Sequence, residues 1–251
     1  MNESDLTDLL RSWPYEAGRI NARRIKGRDG KSKLQVRLDL GVLQMEFNGR
    51  PDGQQPQGME SLLEVHLKRI GEYTKQSQAA EGYVLSQEES RALREEAVQY
   101  YHRYVGLFSL GHFEEVIRDT TRNLEVFDLC RDYAASEHDQ IVLEQFRPYV
   151  VMMRTRAQAE QAVAIGNSND ALKAIDAGLA ELQEIFHKAG HGEIFEHANE
   201  VQLLRGMRDA LVPKLPGSQR VELEERLRAA LDSENYELAA ILRDELRMLD
   251  P

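Results

Sequence analysis

Three histidines and a carboxylate lie within eleven residues, His187, His191, Glu193 and His197 in "HKAGHGEIFEH". Imidazole nitrogens and carboxylate oxygens ligate zinc, and two histidines four apart on an unbroken helix share one face. Gly190 and Gly192 interrupt that spacing, so these residues read instead as cationic side chains around a helix C-terminus, and no metal or other cofactor is expected. The stretch "GRDGKS" (Gly27 to Ser32) ends like a phosphate-binding loop. Such a loop needs a glycine five positions before Gly30, where Ile25 stands, and it opens a helix, whereas "KLQVRLDL" alternates like a strand. A hairpin turn at Asp29-Gly30 is the better reading. Neither Cys130 nor any serine stands in a nucleophile elbow or at a defensible distance from a base, so no enzyme is expected.

Charge is the next candidate chemistry. Residues 16 to 37 carry Arg19, Arg23, Arg24, Lys26, Arg28, Lys31, Lys33 and Arg37 against Glu16 and Asp29. That is +6, in a chain whose net charge is −11, which leaves −17 on the rest. The segment suits a nucleic-acid backbone, with Arg19, Arg23, Arg24 and Lys26 as contacts, or an acidic protein. It equally suits the solvated face and protected edge of a small sheet. The acidic total, with a pI near 5.2, opposes dedicated duplex-DNA binding.

Few elements are needed to position these groups. Residues 4 to 12 form an amphipathic helix with Leu6, Leu9 and Leu10 on one side, ended by Pro14. Leu34, Val36, Leu38 and Leu40 alternate as on one buried strand face, and the phase shifts after Gly41 to Leu43, Met45 and Phe47. A bulge or bend at Gly41 within an antiparallel meander of two or three strands accounts for both series. From Met59 the chain reads as helix, interrupted at Gly82, Gly111, Gly166, Gly190 to Gly192 and "PKLPG" (Pro213 to Gly217). Tyr100, Tyr104, Phe108 and Phe113 have the spacing of core residues on helices. The fold class is α+β, mostly α: a helix and meander over 1–58, helical hairpins over 59–212, a linker at 213–217 and a terminal hairpin over 218–251.

Two interruptions align. "LGHFEEVIRDTTRNLEVF" and "IGNSNDALKAIDAGLAEL" each place a glycine in an interhelical turn, small or apolar residues five and six positions on, and Leu124 or Leu179 at thirteen. The pattern resembles the second half of a tetratricopeptide repeat, in which glycine supplies the positive φ of the turn. The copies lie 55 residues apart and not 34, and Arg103 and Gln158 stand where the first helix of that repeat has leucine.

The C-terminal stretch "LEERLRAALDSENYELAAILRDELRML" carries the most specific pattern. Leu223, Leu227 and Ala230 form a stripe with Leu231 at its edge, while Glu222 and Arg226, and Glu224 and Arg228, pair at i, i+4 on the solvated side. A second helix, Tyr236 to Leu249, has two apolar sides: Leu238, Leu242 and Leu249 with Ile241 near them, and Tyr236, Ala239 and Ala240 opposite. One packs within the hairpin, and the other is left for a partner, because under about 40 residues a hairpin rarely buries enough surface to stand alone.

In this order the residues Leu223, Leu227, Ala230, Asn235, Tyr236, Glu237, Ala239, Ala240, Arg243, Asp244 and Leu246 closely resemble the UVR motif of the bacterial excision-repair proteins UvrB and UvrC. The motif also occurs in Clp-type chaperones and their adaptors. The resemblance implies a protein-docking module in which two hairpins pair, with Tyr236, Glu237, Ala239, Ala240, Arg243, Asp244 and Leu246 facing a protein partner or a second copy. Helicase motifs, a nuclease domain and the CxxC pairs of UVR-containing adaptors are all missing. With one cysteine, no basic N-terminal leader and no apolar run long enough to span a bilayer, a soluble, cytoplasmic, bacterial-type protein is expected, with no membrane partner.

Overall fold

The computed structural model describes residues 5–77 and 82–212, together with 223, 226–228, 230–231 and 242–243 of the C-terminal segment. The fold is α+β and mostly α. Met1–Gln158 and Ala159–Pro251 form two compact units.

The first unit opens with α1 (Thr7–Ser12), followed by Pro14 and a meander of β1 (Asn21–Lys26), β2 (Ser32–Arg37) and β3 (Val42–Glu46), antiparallel in the order β1-β2-β3. The register pairs Ala22 with Val36, Val36 with Leu43, and Leu34 with Met45, so these residues share a face. Helix α3 (Gln87–Ser109) lies on that face. A Cβ on Gly106 would sit 2.8 Å from Val36 Cγ2 and 3.0 Å from Leu34 Cδ2. Glycine costs a helix interior about 1 kcal/mol relative to alanine, and here it is what lets helix and sheet approach.

The phase shift at Gly41 is the turn between strands. β2 ends at Arg37, and the Leu38 N–H donates to the Gly41 carbonyl at 2.9 Å. Leu38 and Leu40, assigned by alternation to the buried face, are 40% and 88% exposed. Their period-2 spacing continues past the end of the strand that gave it meaning.

Helices α2 (Leu62–Ser77), α3 and α4 (Phe113–Tyr133) complete the core of this unit, with short α5 (Glu137–Ile141) and α6 (Arg147–Ala164) after it. In the second unit α7 (Ser168–Lys188) packs against α8 (Asn199–Leu211) and the 3-10 turn Gly192–His197. The glycines at 111 and 166 both adopt positive φ and close the same turn. Gly111 N–H donates to Phe108 O and His112 N–H to Leu107 O; Gly166 N–H donates to Val163 O and Asn167 N–H to Ala162 O. The break between α4 and α6 carries no glycine. It is set by Ser136, whose side chain caps α5 at the Asp139 N–H, and by Pro148 in the first turn of α6.

Polar residues hold the centre of the first unit. Arg103, 1% exposed, grips Asp119 from both sides, Nε to Oδ2 at 2.7 Å and Nη2 to Oδ1 at 2.8 Å. Its remaining nitrogen donates to the carbonyls of Glu46, at 3.1 Å, and Gly49, at 2.6 Å. Arg118 adds bonds to Asp119, Phe47 O and Asn48 Oδ1. Two helical turns back, the buried Glu96 carboxylate accepts the Leu62 N–H that opens α2, and it pairs with Arg50 and Arg122. The Tyr100 ring lies between the Arg103 and Arg122 guanidiniums, 4.7 and 4.0 Å from its centroid. Burial pushes the Tyr100 phenol up to about 12.

Asp119→Ala leaves a buried guanidinium without its partner, and a loss of about 3–5 kcal/mol is expected in urea unfolding. A second prediction concerns acid. His66 is 2% exposed with Nδ1 3.0 Å from the Tyr83 hydroxyl, and burial lowers its pKa despite the Glu89 carboxylate nearby. The folded state therefore binds this proton less readily than the unfolded chain. Stability is at full value above the unfolded pKa, about 6.5, and falls as the pH drops through it until the folded pKa is reached. Urea midpoints at pH 7.5 and 5.5 are expected to differ less in His66→Asn than in the parent; desolvated His102 contributes in the same direction in both proteins.

Candidate functional site

In the C-terminal segment, Leu223, Leu227 and Ala230 recur at i, i+4 and i+7, which places them on one helical face. Leu242, from the second half of the segment, is 1% exposed and Ala230 is 3% exposed, with Leu223 and Leu227 packed against them. The internal seam is therefore the stripe that the spacing assigned, closed on Leu242. Leu231 at the edge of the stripe is half exposed, and Arg226, Arg228 and Arg243 are exposed. Tyr236, Glu237, Ala239, Ala240, Asp244 and Leu246, which the motif gives to the partner, lie outside the described residues, as do Glu222, Glu224 and the linker 213–217.

The family model for the UvrB/uvrC motif matches here, over residues 218–250. Residues 218–250 are thus similar to the UVR motif. No curated protein and no solved structure matches the chain. The motif spans the seam just described and stops short of the helical body, so it speaks for the terminal segment alone.

The basic meander divides into internal and external charges. Arg37 is buried and closes the β2–β3 turn, donating to the carbonyls of Trp13, Leu38, Asp39 and Gly41. Lys33 is buried between Asp29 and Glu46, which raise its pKa, with the Asp29 bond the larger effect. Arg23 donates to Gln35 Oε1, which continues to Gln44 through its amide, and its guanidinium lies 4.0 Å from the Trp13 ring centroid. Arg24 holds Ser32 Oγ and covers the Phe47 ring, and Arg19 pairs with Glu16. Lys26, Arg28 and Lys31 at the β1–β2 tip are exposed. Of the four residues assigned to nucleic acid, Arg23 is thus a strut of the sheet, Arg19 and Arg24 are exposed but partnered, and Lys26 stands at the tip.

A polar cleft of about 770 Å³ lies beside this tip, lined by Arg24, Lys31 and Arg50 on one hand and Glu46, Glu60 and Glu115 on the other. Equal numbers of each sign give it no excess attraction for a phosphate. The Gly27–Lys31 turn is closed by the Gly27 N–H to Lys31 O at 2.7 Å, with Gly30 at φ +77°. "GRDGKS" is a hairpin turn, and no helix N-terminus stands behind it to receive an anion.

His187 lies in the last turn of α7, Gly190 takes φ +73° after it, and His191, Glu193 and His197 follow in and beside the 3-10 turn, all exposed. Among the described residues no three His, Cys, Asp or Glu side chains gather to hold a metal ion. Cys130 is fully buried, and burial pushes its thiol up to about 11, so it is a protonated thiol at neutral pH. Among the described residues no helix is long and apolar enough to cross a membrane.

Leu242→Asp puts a carboxylate into the seam against Ala230, Leu223 and Leu227. Loss of the helical signal of the terminal segment, with the melting of α3 and α4 unchanged, is expected by hydrogen exchange.

Proposed function

We propose that this chain is a non-catalytic adaptor of the bacterial cytoplasm that docks a protein partner, or a second copy, through its C-terminal hairpin. The observation that carries the reading is the closure of Leu223, Leu227 and Ala230 on Leu242 within a UVR motif. That seam uses one side of the second helix. The small residues Ala239 and Ala240, with Tyr236, Glu237, Arg243, Asp244 and Leu246, then form the docking side, because alanines let a facing helix come close. Covering a few hundred Å² of apolar surface at about 25 cal/mol per Å² is worth several kcal/mol, enough to decide whether so short a hairpin persists.

A second reading rests on the exposed tip cations. In it the chain is an accessory factor of excision repair, with the hairpin on a repair subunit and Lys26, Arg28 and Lys31 on nucleic acid. Arg23 is better read as structural, given its stacking on Trp13.

Ala239→Glu is expected to leave the monomer folded by circular dichroism and to abolish both self-association in light scattering and partner recovery in a pull-down from the native lysate. Equal recovery from the parent, the variant and the chain lacking 218–251 would sink the adaptor reading. For the second reading, binding to single-stranded DNA should weaken linearly in log salt and disappear on reversing Arg28 and Lys31 to glutamate; salt-independent binding, or none, excludes it.

A further inference from the structure

The first unit contains an apolar cleft of about 530 Å³ between α3, α4 and the start of α6, lined by none of the basic tip residues. Its volume falls in the range of small-molecule sites, roughly 300–1,000 Å³. Aromatic rings build it. Tyr101 lies 5.6 Å from Tyr104 and 6.2 Å from Tyr149, ring centre to ring centre, and Phe127 and Phe146 supply further wall. Val98 at 51%, Tyr101 at 40% and Phe146 at 51% exposure frame the mouth, whereas Tyr104, Leu143 and Val150 are buried deeper in.

Charge is cancelled throughout the lining. Arg94 is paired with Asp139, and the Asn123 amide is taken up by Ala97 O and Arg122. Burial lowers the pKa of His102, so its imidazole is neutral at neutral pH. A charged ligand would lose its hydration and gain no counter-charge.

One polar group in the cleft has no protein partner. Tyr104 lines the cleft and is 1% exposed, and no hydrogen bond joins its hydroxyl to another described residue. The hydroxyl is not among the fully buried atoms left unpaired, so its donor is open to an acceptor that enters the cleft. We propose that this cleft binds an uncharged aromatic compound carrying a hydrogen-bond acceptor such as a carbonyl, with Tyr104 donating to that acceptor and the tyrosine and phenylalanine rings packing around it. Aromatic walls favour a ring over an alkyl chain through edge-to-face contacts, and the neutral lining selects against carboxylates, phosphates and amines. The inference is independent of the adaptor reading.

Nile red, uncharged, aromatic and bearing a carbonyl, is the probe. Titration of the full chain is expected to give saturable fluorescence with one site per chain, and the anionic dye 8-anilinonaphthalene-1-sulfonate is expected to bind at least tenfold more weakly. Val98→Arg at the exposed mouth should weaken Nile red at least tenfold without changing the urea midpoint. Tyr104→Phe keeps the ring and removes the donor; its affinity should fall about fivefold, the worth of roughly one hydrogen bond, while the ligand-free protein unfolds at the same or higher urea. Unsaturable binding, tighter binding of the anionic dye, unchanged affinity in either variant, or a Tyr104→Phe protein that is less stable without ligand would each overturn the proposal. So would an oligomer of the parent that Val98→Arg dissociates, since the cleft would then be covered by another copy.

Discussion

The Arg103–Asp119 pair is the interaction on which the first unit depends. A guanidinium with five donors is placed where it is 1% exposed, and four hydrogen bonds hold it: two to a carboxylate on α4 and two to carbonyls at and just after the end of β3, with Tyr100 stacked beside it. Removing one partner of such a pair costs about 3–5 kcal/mol, a large share of a domain's total of about 5–15 kcal/mol. Glu96 repeats the arrangement one step along α3, with a carboxylate as the hub and Arg50, Arg122 and the first N–H of α2 as spokes. The segment that follows β3 leaves the carbonyls of Phe47 and Gly49 without a strand neighbour, and arginines from α3 and α4 supply those bonds.

These hubs explain which parts of the fold the sequence makes legible. Periodicity reports faces, so the Leu34/Val36 side of the sheet, the glycine turns at 111 and 166, and the Leu223/Leu227/Ala230 stripe could all be read from spacing. Periodicity is blind to a buried charge. Arg103 looked like a departure from a repeat pattern because leucine usually fills that place, yet it is among the least exposed residues of the molecule. Lys33 and Arg37 were counted among eight bases of a charged surface, and both are internal. Leu38 and Leu40 show the converse error, apolar residues that keep the rhythm of a strand after the chain has turned. The break between α4 and α6 was missed because its signals are a capping serine and a proline in a first helical turn, neither of which interrupts an apolar pattern as glycine does. The aromatic run around Tyr100 reads as core, and half of that holds: Tyr100 and Tyr104 are core, while Phe108 and Phe113 are half-buried.

Functional evidence is concentrated at the two ends of the chain, and the middle explains why. The sheet's +6 segment spends Lys33, Arg37 and Arg23 on its own architecture, which leaves a small cationic tip and not a basic surface. The terminal motif spends one apolar seam on itself. In the meander the number of groups available to another molecule is well below what composition suggests, and the exposed tip sits on a braced sheet.

The position of Asp119 also sets how far along the chain the binding groups lie. The sheet, the loop after it and the start of α2 all precede α3 and α4 in sequence, yet the carboxylates and guanidiniums that bind them down lie at residues 96, 103, 118, 119 and 122. The meander and the loop after it are therefore closed by groups that come later in the chain than themselves, and the apolar face of the sheet is covered by α3 in the same way.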